Sequence, residues 1–474
     1  MTPKPSARAL ALAACLILFA GCAATLQPVA EPERTATTAS PGPGIDIPVE
    51  YYKLDNGLKV VLSPDSTAPT VTVAVYYHIG FRIEPRGRTG FAHLFEHLMF
   101  QGSSNLGKME FIRLVEGNGG VLNGSTRLDF TNYFQIVPAN ALETILWAEA
   151  DRMKGLQITQ DNLTNQQDVV KNEVRVNVLN RPYGGFPWLA MPQVANENWY
   201  NAHNFYGDLE DIDAATLEEA QAFFDTYYAP NNAALVVAGD FDPAEARAWI
   251  GKYFGTIEAR QQPGRPDVSE PRQEAEKRVS RVDPLAPRPA LAVAWHVPPR
   301  GTPEHYAFGL IDEMLLQGED SALWQRLVQE RGYASSVSGG VNLLGNLFNY
   351  DGPMLWMLYL IHDQGTDPDR ILTDVDEIIE QLRRSPPSQA DLDRALTKIR
   401  VSLYGLAGST TRVGLVDLLA TMALFDDDPS RINRIEEAFR AVTPELIQRV
   451  AQDYLRPANR TILMLEAGRE EARP

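Results

Sequence analysis

At 474 residues, with 44% hydrophobic and 22% charged residues, the chain has room for roughly two to four domains and an ordinary globular composition. That balance excludes wholesale disorder and a polytopic membrane protein. A formal charge of −18 repels phosphate backbones and argues against nucleic acid as a main partner.

Lys4 and Arg8 precede an apolar run from Ala9 to Ala20 that is too short to span a bilayer, the pattern of an export signal. The run ends in "LFAGC", which resembles a bacterial lipoprotein cleavage site, although Phe19 stands where Leu is commoner. This resemblance implies a signal peptide over residues 1–21 and lipidation of Cys22. With Ala23 next, it implies a periplasmic protein anchored to the outer membrane. Cys15 leaves with the signal, so no disulfide is expected. Residues 22–47, rich in Pro, Thr, Ala and Gly, read as a flexible tether.

The fold is expected to begin near Ile47. "YYKLDNGLKVVLSP" reads as two strands around an Asn-Gly turn, and "VTVAVYYHIG" as a third. Helical periodicity follows at 90–101, 108–117, 139–154 and 162–179. A repeat then emerges. "TLEEAQAFFDTYYAPNNAALVVAGD" (216–240) aligns without gaps with "TPELIQRVAQDYLRPANRTILMLEA" (443–467), each a Thr-capped helix broken at a proline and followed by an apolar strand. The chain therefore reads as two similar α+β units, 48–255 and 286–468, joined by a charged, proline-rich linker over 256–285.

"FAHLFEHLMFQG" in the first unit matches "AFGLIDEMLLQG" (307–318) in the second, with Gly309, Asp312 and Glu313 where His93, Glu96 and His97 stand. The apolar helix pattern survives in the copy while both imidazoles vanish. Packing alone therefore does not account for the histidines.

On a helix, positions i and i+4 share a face with Cβ atoms about 5–6 Å apart, close enough for two imidazoles to bind one zinc ion. Glu96 shares that face. A buried histidine pair bonded to backbone is the structural alternative. A hydrolytic zinc site needs a third protein ligand, and Glu143, Glu149, Asp151, Asp168 and Glu173 are all available downstream. Spacing does not choose among them.

"GRTGFAHLFEHLMFQGS", "DFTNYFQIVPANALETILWAEADRM", "VVKNEVRVNVLNRPYG" and "FFDTYYAPNNAALVVAGDFD" together resemble the pitrilysin/insulinase (M16) family of inverted-motif zinc peptidases. The resemblance covers nearly all of the first unit and, more weakly, the second. It implies an α+β fold of two homologous units, each a mainly antiparallel sheet packed by helices, LuxS/metallohydrolase-like and arranged as a pitrilysin-type half clamshell. It implies one Zn2+ per chain held by His93, His97 and Glu173, the last 76 residues beyond His97. In this scheme zinc polarises the scissile carbonyl and acidifies water, and Glu96 carries the proton to the leaving amine.

Strand addition of an extended peptide along "VLNGSTRLDFTNYF" follows from the same resemblance, with Asn123, Ser125 and Thr126 as substrate contacts. Family members build their chamber from four such units, so the implied enzyme is a zinc endopeptidase working as the catalytic subunit of a dimer. "PMLWMLYLIH" (353–362) lacks the arginine expected of a substrate-gripping partner, which favours a distinct M16-type subunit over a second copy. One departure is Gln166, where family members often carry a glutamate seven residues before the third ligand. The competing functions are a non-catalytic scaffold and a metal-binding subunit of a periplasmic assembly.

Overall fold

The computed structural model of the chain describes residues 44–468. Lys4, Arg8, Cys15 and Cys22, and with them the expected signal and lipidation site, lie outside the described residues.

The Asn56-Gly57 turn joins β1 (Glu50–Lys53) to β2 (Lys59–Pro64), and Gly57 supplies the positive φ of 87° that such a turn requires. With β3 (Thr70–Tyr77), β4 (Val121–Thr126), β5 (Thr131–Pro138) and β6 (Ala233–Gly239), these strands form one sheet in the order β1-β2-β6-β3-β5-β4. All pairings are antiparallel except β2 with β6. β6 is an unbroken apolar run, and β3 is one apart from Thr70 and Thr72, because both faces of the sheet are covered. Val71, Val73, Val75 and Tyr77 pack with the helices of the first half, whereas Ala74 and Tyr76 join the core of the second.

Those first-half helices are α1 (Phe91–Leu98), α2 (Glu110–Gly117), α3 (Leu142–Lys154) and α4 (Gln160–Val174). The periodicity expected over 162–179 continues past α4 as a π-helical turn, Arg175–Leu179.

A second sheet contains β7 (Lys277–Asp283), β8 (Ala290–His296), β9 (Ser338–Val341), β10 (Leu355–Ile361) and β11 (Arg460–Ala467), in the order β7-β11-β8-β10-β9. Its single parallel pair, β7 with β11, corresponds to β2 with β6, and the remaining strands follow in the same succession as β3, β5 and β4. The repeat seen in the sequence is thus a repeat of topology. The helices Leu217–Tyr227 and Pro444–Tyr454 are capped by Thr216 and Thr443 and each leads through a proline turn into a strand. The molecule is α+β, two sheets packed by helices.

One sequence expectation changes. Residues 256–285, read as linker, include β7. As an edge strand paired only with β11, it is half-buried only at Lys277, Val279 and Asp283 and otherwise exposed, so it lacks the apolar period that marks a buried strand. Among the described residues no helix is long and apolar enough to cross a membrane.

Candidate metal centre

Phe91, Leu94, Phe95 and Leu98 recur at the spacing of one helical face and are buried in the first-half core, where Phe91 and Phe95 meet Phe223 at 5.5 and 4.9 Å between ring centroids. That packing fixes the rotation of α1 and leaves His93, Glu96 and His97 on the side facing α4 and β4. The helix starts at Gly90, whose φ of 84° suits glycine, and a side chain there would collide with Ile212 and the Tyr206 carbonyl. No side chain at Gly90 caps α1. Instead the buried Glu84 accepts hydrogen bonds from the Gly90 and Ala92 N–H groups at 2.8 and 2.6 Å. α4 has its own cap, with Thr159 accepting from the Asn162 N–H, and it buries Leu163, Gln167 and Val170.

This arrangement brings three donors together. Glu173 Oε2 lies 3.6 Å from His93 Nε2 and 3.4 Å from His97 Nε2, and the three ligand atoms are all within 4.8 Å of one another. Both separations are longer than an ordinary N–H···O bond. They match the edge of a tetrahedron with metal–ligand bonds of about 2.0–2.1 Å, which is about 3.3–3.4 Å. Two imidazoles and a carboxylate at that spacing suit zinc, and no other described His, Cys, Asp or Glu forms such a group.

The competing carboxylates are engaged elsewhere. Glu149 is buried against Arg152, Asp151 accepts from Ser103 and Asn105, Glu143 from Tyr253 and Lys252, and Asp168 pairs with Lys171.

Electrostatics follow from burial. Desolvation, reinforced by neighbouring His97, pushes His93 down to about 4, so its imidazole is neutral at physiological pH. Glu173 is held below the usual carboxylate range, first by the His97 imidazole beside it. Burial raises Glu96, opposed by a hydrogen bond from Thr126. That is the direction expected of a carboxylate that takes and returns a proton near neutral pH.

Glu96 and His97 open into a groove of 390 Å³ lined also by Phe100, Met109, Asn123, Gly124 and Gln166. One wall is β4, the outermost strand of the first sheet. Of the three expected substrate contacts, Asn123 is exposed and lines this groove. Ser125 turns across the ladder and donates to Asn132 Oδ1 at 2.5 Å. Thr126 is only 1% exposed, and its hydroxyl donates to Glu96 Oε2 at 2.8 Å. Strand alternation explains the split: Gly124 and Thr126 face α1, and a side chain at Gly124 would press on Glu96 Cγ at 3.3 Å. Thr126 therefore touches Glu96 rather than the open edge. Gln166 is buried beside the groove and donates to Asn165 Oδ1.

Residues 59–182, which include all of His93, Glu96, His97 and Glu173, match the family model described as insulinase (peptidase family M16), and residues 214–399 match the peptidase M16 inactive domain. The chain belongs to peptidase family M16. Among similar chains, zinc protease PqqE of Helicobacter pylori is 24% identical over 88% of this chain and 92% of its own length. An uncharacterized zinc protease of Mycobacterium tuberculosis is 23% identical over 76% of this chain and 81% of its own. The crystal structure of a protease from Helicobacter pylori superposes with a TM-score of 0.81 at 24% identity, covering 89% of this chain and 99% of that one. That of a peptidase M16 inactive domain from Pseudomonas fluorescens gives 0.76 at 17% identity, over 89% and 98%.

The second half shows what its copy of the M16 helix does without imidazoles. At Gly309, in the position of His93, a Cβ would lie 2.7 Å from Leu347 Cδ2, so a side chain there would require that leucine to shift. Asp312 is half-buried and accepts from Trp356 Nε1 at 2.6 Å and from Gln317. Lys398 lies 3.7 Å from the Glu313 carboxylate. Packing and hydrogen bonds occupy these positions in the second half. Sequence reading did not single out Glu84, which holds the first N–H groups of α1, or Tyr206, which contacts Glu173 and His93; neither belongs to a motif whose spacing announces a partner.

Proposed function

We propose that this chain is a zinc-dependent endopeptidase acting on peptides or unfolded segments, the catalytic subunit of a dimeric clamshell completed by a second M16-type subunit. The convergence of His93, His97 and Glu173 at tetrahedral-edge distances carries this reading. The names of the similar chains as zinc proteases support it. Bound zinc supplies a Lewis acid for the scissile carbonyl and increases the acidity of water. The chain's own groups do the rest. His93, neutral because it is buried, offers a lone pair without first losing a proton. Glu96 takes a proton from water and delivers it to the leaving amine, its basicity raised by burial and its position fixed by Thr126. β4 offers one row of unpaired backbone groups beside Glu96, so an extended substrate strand pairs there with little dependence on sequence.

The absence of arginine in 353–362 supports a distinct partner over a second copy. The amino-terminal signal pattern supports an outer-membrane lipid anchor at Cys22, which radiolabelled palmitate incorporation, lost in Cys22→Ser, tests directly. The central experiment uses the chain from Ile47 onward with one equivalent of zinc, with and without a candidate partner, on a mixed peptide library. Cleavage that is abolished by chelator and restored by zinc is expected. Glu96→Gln is expected to keep the metal and lose turnover by at least about a thousandfold. Stoichiometric zinc with no cleavage under any pairing would show a metal-binding or scaffold subunit instead.

A further inference from the structure

One short loop, residues 203–206, touches both helices that carry the candidate ligands. Tyr206 is 6% exposed, and its hydroxyl lies 3.4 Å from Glu173 Oε1, the oxygen turned away from the imidazoles. The ring of Tyr206 stands edge-on to His93 at 5.1 Å between centroids, and the ring of Phe205 lies 5.5 Å from the same imidazole. At the other end of the loop, His203 Nε2 lies 3.6 Å from Glu84 Oε2, and Glu84 holds the first N–H groups of α1.

His93 makes these contacts consequential. Its Nδ1 is buried and meets no protein hydrogen-bond partner among the described residues. Metal-bound imidazoles ordinarily have their orientation fixed by a bond from the second ring nitrogen. In this chain the packed rings of Phe205 and Tyr206 are left to hold the imidazole plane. Glu173 has a parallel problem: on a half-exposed helix face its carboxylate has several rotamers, and each unfavourable one removes a ligand.

We propose that the 203–206 loop sets the separation of α1 and α4, and that Tyr206 is the positioning residue of the site, engaging Glu173 Oε1 and packing on His93 so that Oε2 and Nε2 stay aimed at one point. This rests on the metal-site reading above and extends it to a residue outside the ligand set. Tyr206 takes no part in proton transfer; its effect is on how well the empty site is preorganised.

The test is metal affinity rather than turnover. Zinc dissociation constants are measured by competition with a chromophoric chelator for the wild type, Tyr206→Phe and Tyr206→Leu, and the cobalt-substituted proteins are compared by visible absorption. Tyr206→Phe, which keeps the ring and loses only the hydroxyl, is expected to weaken zinc about tenfold and to alter the cobalt d–d bands. Its metal-free melting temperature should equal that of the wild type. Tyr206→Leu is expected to weaken zinc further, and saturating zinc should restore most of the Tyr206→Phe turnover. Zinc affinity within twofold of wild type together with an unchanged cobalt spectrum in Tyr206→Phe overturns the proposal and leaves the peptidase reading intact. A wild-type chain that binds no zinc overturns both. Should Tyr206→Leu fail to fold, Tyr206→Phe carries the test alone.

Discussion

Thr126, on the outermost strand of the first sheet, donates its hydroxyl hydrogen to Glu96 on the helix of His93 and His97 across 2.8 Å. The group that would move protons is thus tied to the strand that would hold substrate. Thr126→Val keeps the shape and removes the donor. Because that hydrogen bond favours the carboxylate form of Glu96, its loss should raise the base's pKa and shift the acid limb of the pH–rate profile upward. A fall of about tenfold in kcat/KM, equivalent to about 1.4 kcal/mol, is expected with unchanged zinc content, checked by peptide kinetics and metal analysis.

Gln166 is buried beside Glu96 and His97 in the groove and contributes no charge. Gln166→Glu would place a carboxylate near the candidate metal. It should tighten zinc binding several-fold while raising the pKa of Glu96 by like-charge repulsion. Chelator competition and a pH profile measured on the same protein read both effects, and a Gln166→Glu variant with unchanged affinity would remove this residue from the electrostatics of the site.

Arg152 and Glu149 form a fully buried ion pair, with the Arg152 guanidinium 4.1 Å above the Phe111 ring and 4.6 Å above that of Tyr133. Arg152→Ala strands the Glu149 carboxylate in the core. Urea unfolding should show a loss of about 3–5 kcal/mol, and Glu149→Leu/Arg152→Met should recover most of it, because the penalty lies in the unpaired charge rather than in the missing attraction.

In the second half, burial raises Asp312 to about 6, and burial together with the Asp312 charge raises Glu313 to about 7. Both folded values lie above those of the unfolded chain, so the native state holds protons more tightly. The contribution to stability is complete below about pH 4 and is lost as pH rises through 6 to 7. Melting temperatures measured from pH 4.5 to 7.5 should therefore contain a downward component that Asp312→Asn reduces. An identical pH slope in wild type and variant would rule out Asp312 as its source.

Much of the site was legible before the fold was known because its densest part is local. His93, Glu96 and His97 fall within five residues, and the apolar residues between them dictate a helix whose periodicity puts all three on one face. The comparison with Gly309, Asp312 and Glu313 worked for the same reason: a conserved packing pattern with altered polar positions separates core from chemistry within one chain. β7 escaped notice because an edge strand with an exposed polar face has no apolar period to betray it.

The amino-acid sequence by itself determined the internal repeat, the helix that carries both imidazoles, and the strands whose apolar runs had to be buried on two faces. Tertiary structure decided the rest. Glu143, Glu149, Asp151, Asp168 and Glu173 are chemically interchangeable as letters, and only the packing of α4 against α1 carries Glu173 to within 3.4 Å of His97 while burial and ion pairing occupy the others. The same packing turned Thr126 inward to Glu96 and brought Tyr206 onto Glu173. Local periodicity encodes which face of an element a residue occupies; contacts between residues far apart in the chain exist only once the cores have closed.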